Sequence, residues 1–277
     1  MALVPFPNQA SDPARAGDDP DSDWSPDESS GGKMSFLEHL DELRKRIIRS
    51  VLFIGGGFLI CCFFIQQIFD FIMKPMQALL PAGAKLVYTE PSEAFVLYIK
   101  MAAIGGLLLA SPGVMSQVWL FIAPGLYAHE KKLAIPFVVL SSSFFIMGAA
   151  FSHYVVFPMT WRFFVGFTNE YMAFMPRIEP AFGMYLKLLI GMGLVFQMPT
   201  LVLFLARMGV LTARFMLKNF KYAFLAIFVI AAFLTPGGDP MSQTAMAAPM
   251  VGLYVFSILL AWLFGKKRTI ETEGVAQ

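Results

Sequence analysis

Residues 35–69 read SFLEHLDELRKRIIRSVLFIGGGFLICCFFIQQIF, and this stretch decides the fold. Its first half is amphipathic. Ser35-Phe36-Leu37-Glu38 is a capping-box pattern, and Phe36, Leu37, Leu40, Leu43 and Ile47 repeat at a helical period. Asp41 to Lys45 and Glu42 to Arg46 are acid-to-base pairs at i,i+4. The spacing predicts a helix over Ser35–Arg49 lying at a membrane surface. Its second half, Ser50–Phe69, carries no charge and has the roughly 20 residues a helix needs to cross hydrocarbon.

Five more apolar segments follow. They lie between Lys100 and His129, between Lys132 and Arg162, and over Leu188–Ala206, Tyr222–Leu234 and Ala245–Phe264. Composition agrees. Of 277 residues, 57% are hydrophobic and 14% charged, and a soluble domain carries nearer about 25% charged residues. Mean hydropathy is +0.64. An ordinary soluble enzyme, a disordered chain and a nucleic-acid binder with a basic face are excluded. The reading is an all-α polytopic membrane protein with six transmembrane helices.

Charge sets the organisation. Residues 1–33 hold seven acids against Arg15 and Lys33, with five prolines, so the remainder of the chain is strongly positive. Residues 1–34 are read as a disordered acidic tail, 35–268 as the membrane domain and 269–277 as a C-terminal tail. The start lacks the basic-then-apolar pattern of a secretory signal. The segment Tyr222–Leu234 is short, reaching roughly 20 Å, and a re-entrant course is the alternative to a crossing. With six crossings, fourteen Lys and Arg residues fall on the side of the N-terminus and six on the other. The positive-inside rule then places both termini in the cytoplasm. Pro112, Pro124, Pro136, Pro158 and Pro199 interrupt or bound the spans and predict kinks.

Catalytic and metal-binding patterns are missing. His129-Glu130-Lys131-Lys132 lacks the second His of a zinc pair, His153 stands alone, and no base accompanies Ser141-Ser142-Ser143. Cys61 and Cys62 are adjacent and read as small hydrophobes. Gly55-Gly56-Gly57 reads as close helix packing. Three polar features stand out. Glu38, Glu42 and Glu130 form either a carboxylate site for a basic peptide or a face paired with Arg46 and Lys131. Gln197 within a span is either helix–helix glue or a contact for a partner. Asp239 in Thr235-Pro236-Gly237-Gly238-Asp239 sits in a turn.

At these residues the chain resembles the TatC family, the multispanning receptor of the twin-arginine protein translocase. The carriers are His39–Arg46, Gln117–Tyr127 with His129-Glu130, then Phe151, Tyr154 and Pro158. Phe196–Pro199 and Leu234–Pro236 with Asp239, Ser242-Gln243 and Pro249 complete them. The resemblance runs in order from about Ser35 to Lys267. It implies a concave, glove-like arrangement whose last two helices are short. It also implies a receptor for signal peptides with consecutive arginines, assembling with single-span TatA/TatB-type subunits and with further copies of itself in the inner membrane. Folded cargo then crosses using the proton-motive force. By motif position the resemblance assigns Glu42, Glu130, Arg44, Arg46 and Phe121 to signal-peptide binding and Gln197 to a polar site facing the groove. It assigns Pro75 and Asp239 to the outer loops. No enzyme activity, cofactor, metal or nucleic acid is implied. Many members carry Glu where this chain has Gln197, and another Glu where it has Val255, so two membrane carboxylates are replaced by neutral residues.

Overall fold

The computed structural model describes residues 36–80, 84–122, 134–169, 171, 174–235 and 240–265. The two tails, Glu130 and Asp239 lie outside the described residues. Every named element is a helix. They are α1 Phe36–Phe63, α2 Ile65–Ala78, α3 Pro91–Ile122, α4 Ala134–Phe151, a π turn Ser152–Val156, α5 Phe157–Val165, α6 Ile178–Val195, α7 Met198–Arg207, α8 Ala213–Lys218, α9 Phe220–Leu234 and α10 Pro240–Phe264.

Five stretches are long and apolar enough to cross a membrane: Leu37–Phe63, Pro91–Ile122, Ile135–Val165, Ile178–Arg207 and Ser242–Phe264. Phe220–Leu234 is the shorter, sixth apolar helix. The boundaries correct several expectations. No break separates a surface helix from the first span at Arg49, since α1 runs through to Phe63. The fourth span begins at Ile178, ten residues earlier than its apolar run, because Glu179 and Lys187 sit on exposed positions of an otherwise buried helix. Of the two final helices implied to be short, α9 has 15 residues and α10 has 25.

Pro158 and Pro199 break helices as expected, while Pro124 lies outside the described residues. The π turn precedes Pro158: the Phe157 amide bonds back five residues to Ser152, and Pro158 at the start of α5 has no N–H to restore the ordinary register. Pro199 likewise lacks the donor for the Val195 carbonyl, and the chain takes a tight turn at Phe196-Gln197 between α6 and α7. Pro112 and Pro249 instead lie within continuous helices.

The core is built where α3, α5, α6 and α10 contribute large apolar side chains. Met101, Phe157, Phe182, Tyr185, Leu188, Met192, Met246 and Met250 are fully buried. α10 packs most extensively on α7, and α4 on α6 and α3. Burial is uneven. Half of the fourth span's apolar window is inside the molecule, against 11% of the first. α1 is tied mainly through a glycine crossing. A Cβ at Gly57 would lie 2.5 Å from the Gly106 carbonyl oxygen on α3, whereas Gly55 and Gly56 meet nothing within 4 Å. The packing role expected of three glycines therefore belongs to Gly57.

Candidate functional site

The polar cluster near the start of α1 is assembled from two helices. Arg46 donates from one guanidinium nitrogen to Glu42 Oε1 at 2.9 Å, one turn earlier on α1, and from the other to Gln117 Oε1 on α3 at 3.3 Å. Gln117 is buried, and its amide nitrogen donates to Ser116 Oγ at 3.2 Å. The i,i+4 spacing of the sequence thus becomes a real ion pair. It uses one carboxylate oxygen only: Glu42 Oε2 accepts no hydrogen bond from a described residue. Glu42 and Arg46 each keep 19% of their side-chain surface exposed, so the open oxygen can be reached. Arg44 is exposed and pairs with no described residue. Phe121 is half-buried on the last turn of α3. A fixed cation beside a half-used carboxylate can hand a second guanidinium a charged acceptor of defined orientation. Gln117 is the member that sequence reasoning left unassigned; its signal was a polar amide within an apolar run.

Gln197 lies at the turn between α6 and α7 and donates to the Ser141 carbonyl on α4 at 2.8 Å. The Ser141 hydroxyl accepts from Trp119 Nε1 at 2.7 Å and donates to the Phe137 carbonyl at 2.7 Å. Trp119, Phe137 and Phe204 pack around it as stacked and edge-on rings. Gln197 is therefore helix–helix glue on its nitrogen side. Its amide oxygen makes no hydrogen bond to a described residue, which leaves the half-buried group one open acceptor. Val255, the other position with a neutral replacement, is 51% exposed on α10.

At the far ends of α3 and α6 the connecting segments are clasped together. Val87 and Arg177 form a parallel bridge, with Ile178 N donating to Val87 O at 2.8 Å and Val87 N to Pro176 O at 3.1 Å. Arg177 pairs with the buried carboxylate of Glu93, which also accepts from Thr89. That carboxylate raises the Arg177 pKa above its ordinary value, through a direct hydrogen bond first and charge second. Pro75 stands inside α2 rather than in a loop. Among the described residues no group of three or more His, Cys, Asp or Glu side chains could hold a metal ion.

The family model for the Sec-independent protein translocase protein (TatC) matches residues 38–249. The chain belongs to the TatC family. It is 45% identical over 237 residues to the Sec-independent protein translocase protein TatC of Koribacter versatilis, covering 84% of this chain and 87% of that one. With the protein of the same name from Desulforapulum autotrophicum it shares 40% over 245 residues, covering 88% and 90%. Two crystal structures of the twin arginine translocase receptor TatC superpose on it. One matches at 33% identity and a TM-score of 0.71, over 81% of this chain and 98% of that one. The other, in DDM, matches at 32% and 0.72, over 83% and 100%. As a TatC-family member the chain is a component of a protein-transport system and not a catalytic enzyme. It is a multi-span membrane protein with an all-helical fold shared with those structures.

Proposed function

We propose that this chain is the signal-peptide receptor and core subunit of a twin-arginine translocase, which moves folded proteins across the inner membrane using the proton-motive force. The observation that carries the reading is the half-used carboxylate of Glu42, held in place by Arg46 and Gln117. An arginine of the signal peptide takes the open oxygen, and Glu130 takes its neighbour. Arg44 and Phe121 flank this surface. The names of the relatives support the reading, since they describe a translocase and a twin arginine receptor.

Both termini face the cytoplasm in this reading, which the asymmetry of Lys and Arg supports. Partners are single-span TatA/TatB-type subunits, further copies of this chain and the lipid bilayer; nucleic acid is not among them. Gln197 offers its open amide oxygen to a donor on a partner helix. Pro75 and Asp239 shape the outer side.

The test is photocrosslinking of a twin-arginine signal peptide to the protein in membranes. Glu42→Gln and Glu130→Gln at normal protein level each lower the crosslink yield by about tenfold, the loss of one charge-assisted contact. Replacing the two arginines of the peptide by lysines does the same, because lysine keeps the charge and loses the fork. An undiminished crosslink in both variants means that the arginines are read elsewhere and overturns the assignment.

A further inference from the structure

α2 carries a second feature that the receptor reading does not use. Asp70 and Lys74 stand at i,i+4, the spacing at which acid and base ordinarily pair. Here they form no ion pair with each other or with any described residue. Both instead line a cavity of about 430 Å³, together with Gln67, Phe71 and His153. His153 is buried, and its Nδ1 bonds the Tyr185 hydroxyl at 3.0 Å. Its other ring nitrogen is bonded to no described residue. When Tyr185 donates to Nδ1, that second nitrogen carries the hydrogen and serves as a donor for an anion.

A second cavity, of about 560 Å³, adjoins the first, since Gln67 and Phe71 line both. Its walls are almost wholly apolar and come from four elements: Ile60 on α1, Ile68 on α2, Ile104, Leu108 and Leu109 on α3, and Leu189 on α6. Phe71 separates the two and stacks on the His153 ring at 4.5 Å between centroids. The ligand that matches has a long apolar chain joined to a head bearing one anion and one cation. A buried helix of a partner fits the trough but leaves Asp70 and Lys74 unmatched. A free anion matches Lys74 and leaves the trough empty.

We propose that the paired cavities bind one phospholipid whose head carries a phosphate and a primary ammonium. The phosphate sits on Lys74 and His153, the ammonium on Asp70, and an acyl chain lies in the trough beside Leu109. Such a lipid is a fixed part of the fold at the α1–α2 break, where the protein alone leaves a gap.

The test is native mass spectrometry of the full chain in DDM. The probes are phosphatidylethanolamine, phosphatidylcholine, phosphatidylglycerol and diacylglycerol. The wild type retains phosphatidylethanolamine in preference to the other three. Lys74→Gln lowers retention of both phosphatidylethanolamine and phosphatidylglycerol by about tenfold, one charge-assisted bond. Asp70→Asn removes the preference for phosphatidylethanolamine over phosphatidylcholine, whose quaternary nitrogen has no hydrogen to donate. Leu109→Trp fills the trough and releases every lipid. All three positions are exposed, so the variants fold, and an unchanged thermal midpoint verifies this. Equal retention of all four lipids by wild type and variants describes a nonspecific annulus and overturns the proposal. So does a crosslink from position 109 to a single-span subunit with no lipid retained. Neither result touches the Glu42 site, whose readout is the signal-peptide crosslink.

Discussion

Gln197 shows how one side chain divides its bonds. Its nitrogen is committed to the Ser141 carbonyl and its oxygen is open. Gln197→Leu removes one inter-helix hydrogen bond and lowers stability by about 0.6–1 kcal/mol, the ordinary worth of such a bond within a membrane. Thermal unfolding in detergent measures it; a loss several times larger would mean that the whole Trp119–Ser141 cluster depends on the amide. Arg177 is the opposite case, because its partner is buried. Arg177→Met strands the Glu93 carboxylate with only Thr89 for company. The thermal midpoint falls clearly, and the double variant Arg177→Met with Glu93→Gln recovers part of the loss. Absence of any recovery would show that the pair is not what holds the clasp.

Among the elements, α1 is the least embedded, and its tightest approach to α3 is the crossing of Gly57 on Gly106. Adjacent glycines on it therefore respond with opposite sign. Gly56→Ala meets open space and gains helix propensity, stabilising by up to about 1 kcal/mol. Gly57→Ala drives a Cβ into the Gly106 carbonyl and costs about 1–3 kcal/mol as α1 moves off. Matched melting curves of the two variants decide it, and equal effects would place the crossing elsewhere. The shift of α1 also separates Arg46 from Gln117, so Gly57→Ala weakens the signal-peptide crosslink without touching Glu42.

For the molecule as a whole, the six crossings make a topological prediction. α9 has 15 residues, about 22 Å of rise, short of the hydrocarbon core. Only Ile227 and Ala231 of its residues are buried, so it does not hide among its neighbours and lipid must thin around it or a partner must cover it. In a background with Cys61 and Cys62 replaced by alanine, Pro240→Cys, just beyond α9, labels from the outer side of the membrane and Leu217→Cys, just before it, from the cytoplasmic side. Both positions are exposed. Right-side-out and inverted vesicles with an impermeant maleimide read the result, and labelling of both from one side removes the crossing between them.

The sequence by itself determined the class and order of the elements. Apolar runs with few charges admit only satisfied backbone in lipid, which means helices, and Pro158 and Pro199 mark interruptions because a missing N–H acts locally. The Glu42–Arg46 pair was legible for the same reason, being one turn apart on one helix. The long-range partners were not. That Arg46 reaches Gln117, that Gln197 bonds Ser141, that Gly57 rather than Gly55 or Gly56 meets Gly106, and that Arg177 reaches Glu93 all depend on how helices far apart in the chain cross. Periodicity states which face of a helix is apolar; it does not state which other helix that face meets. Such pairings are decided by close packing of whole surfaces, and only the tertiary structure holds them.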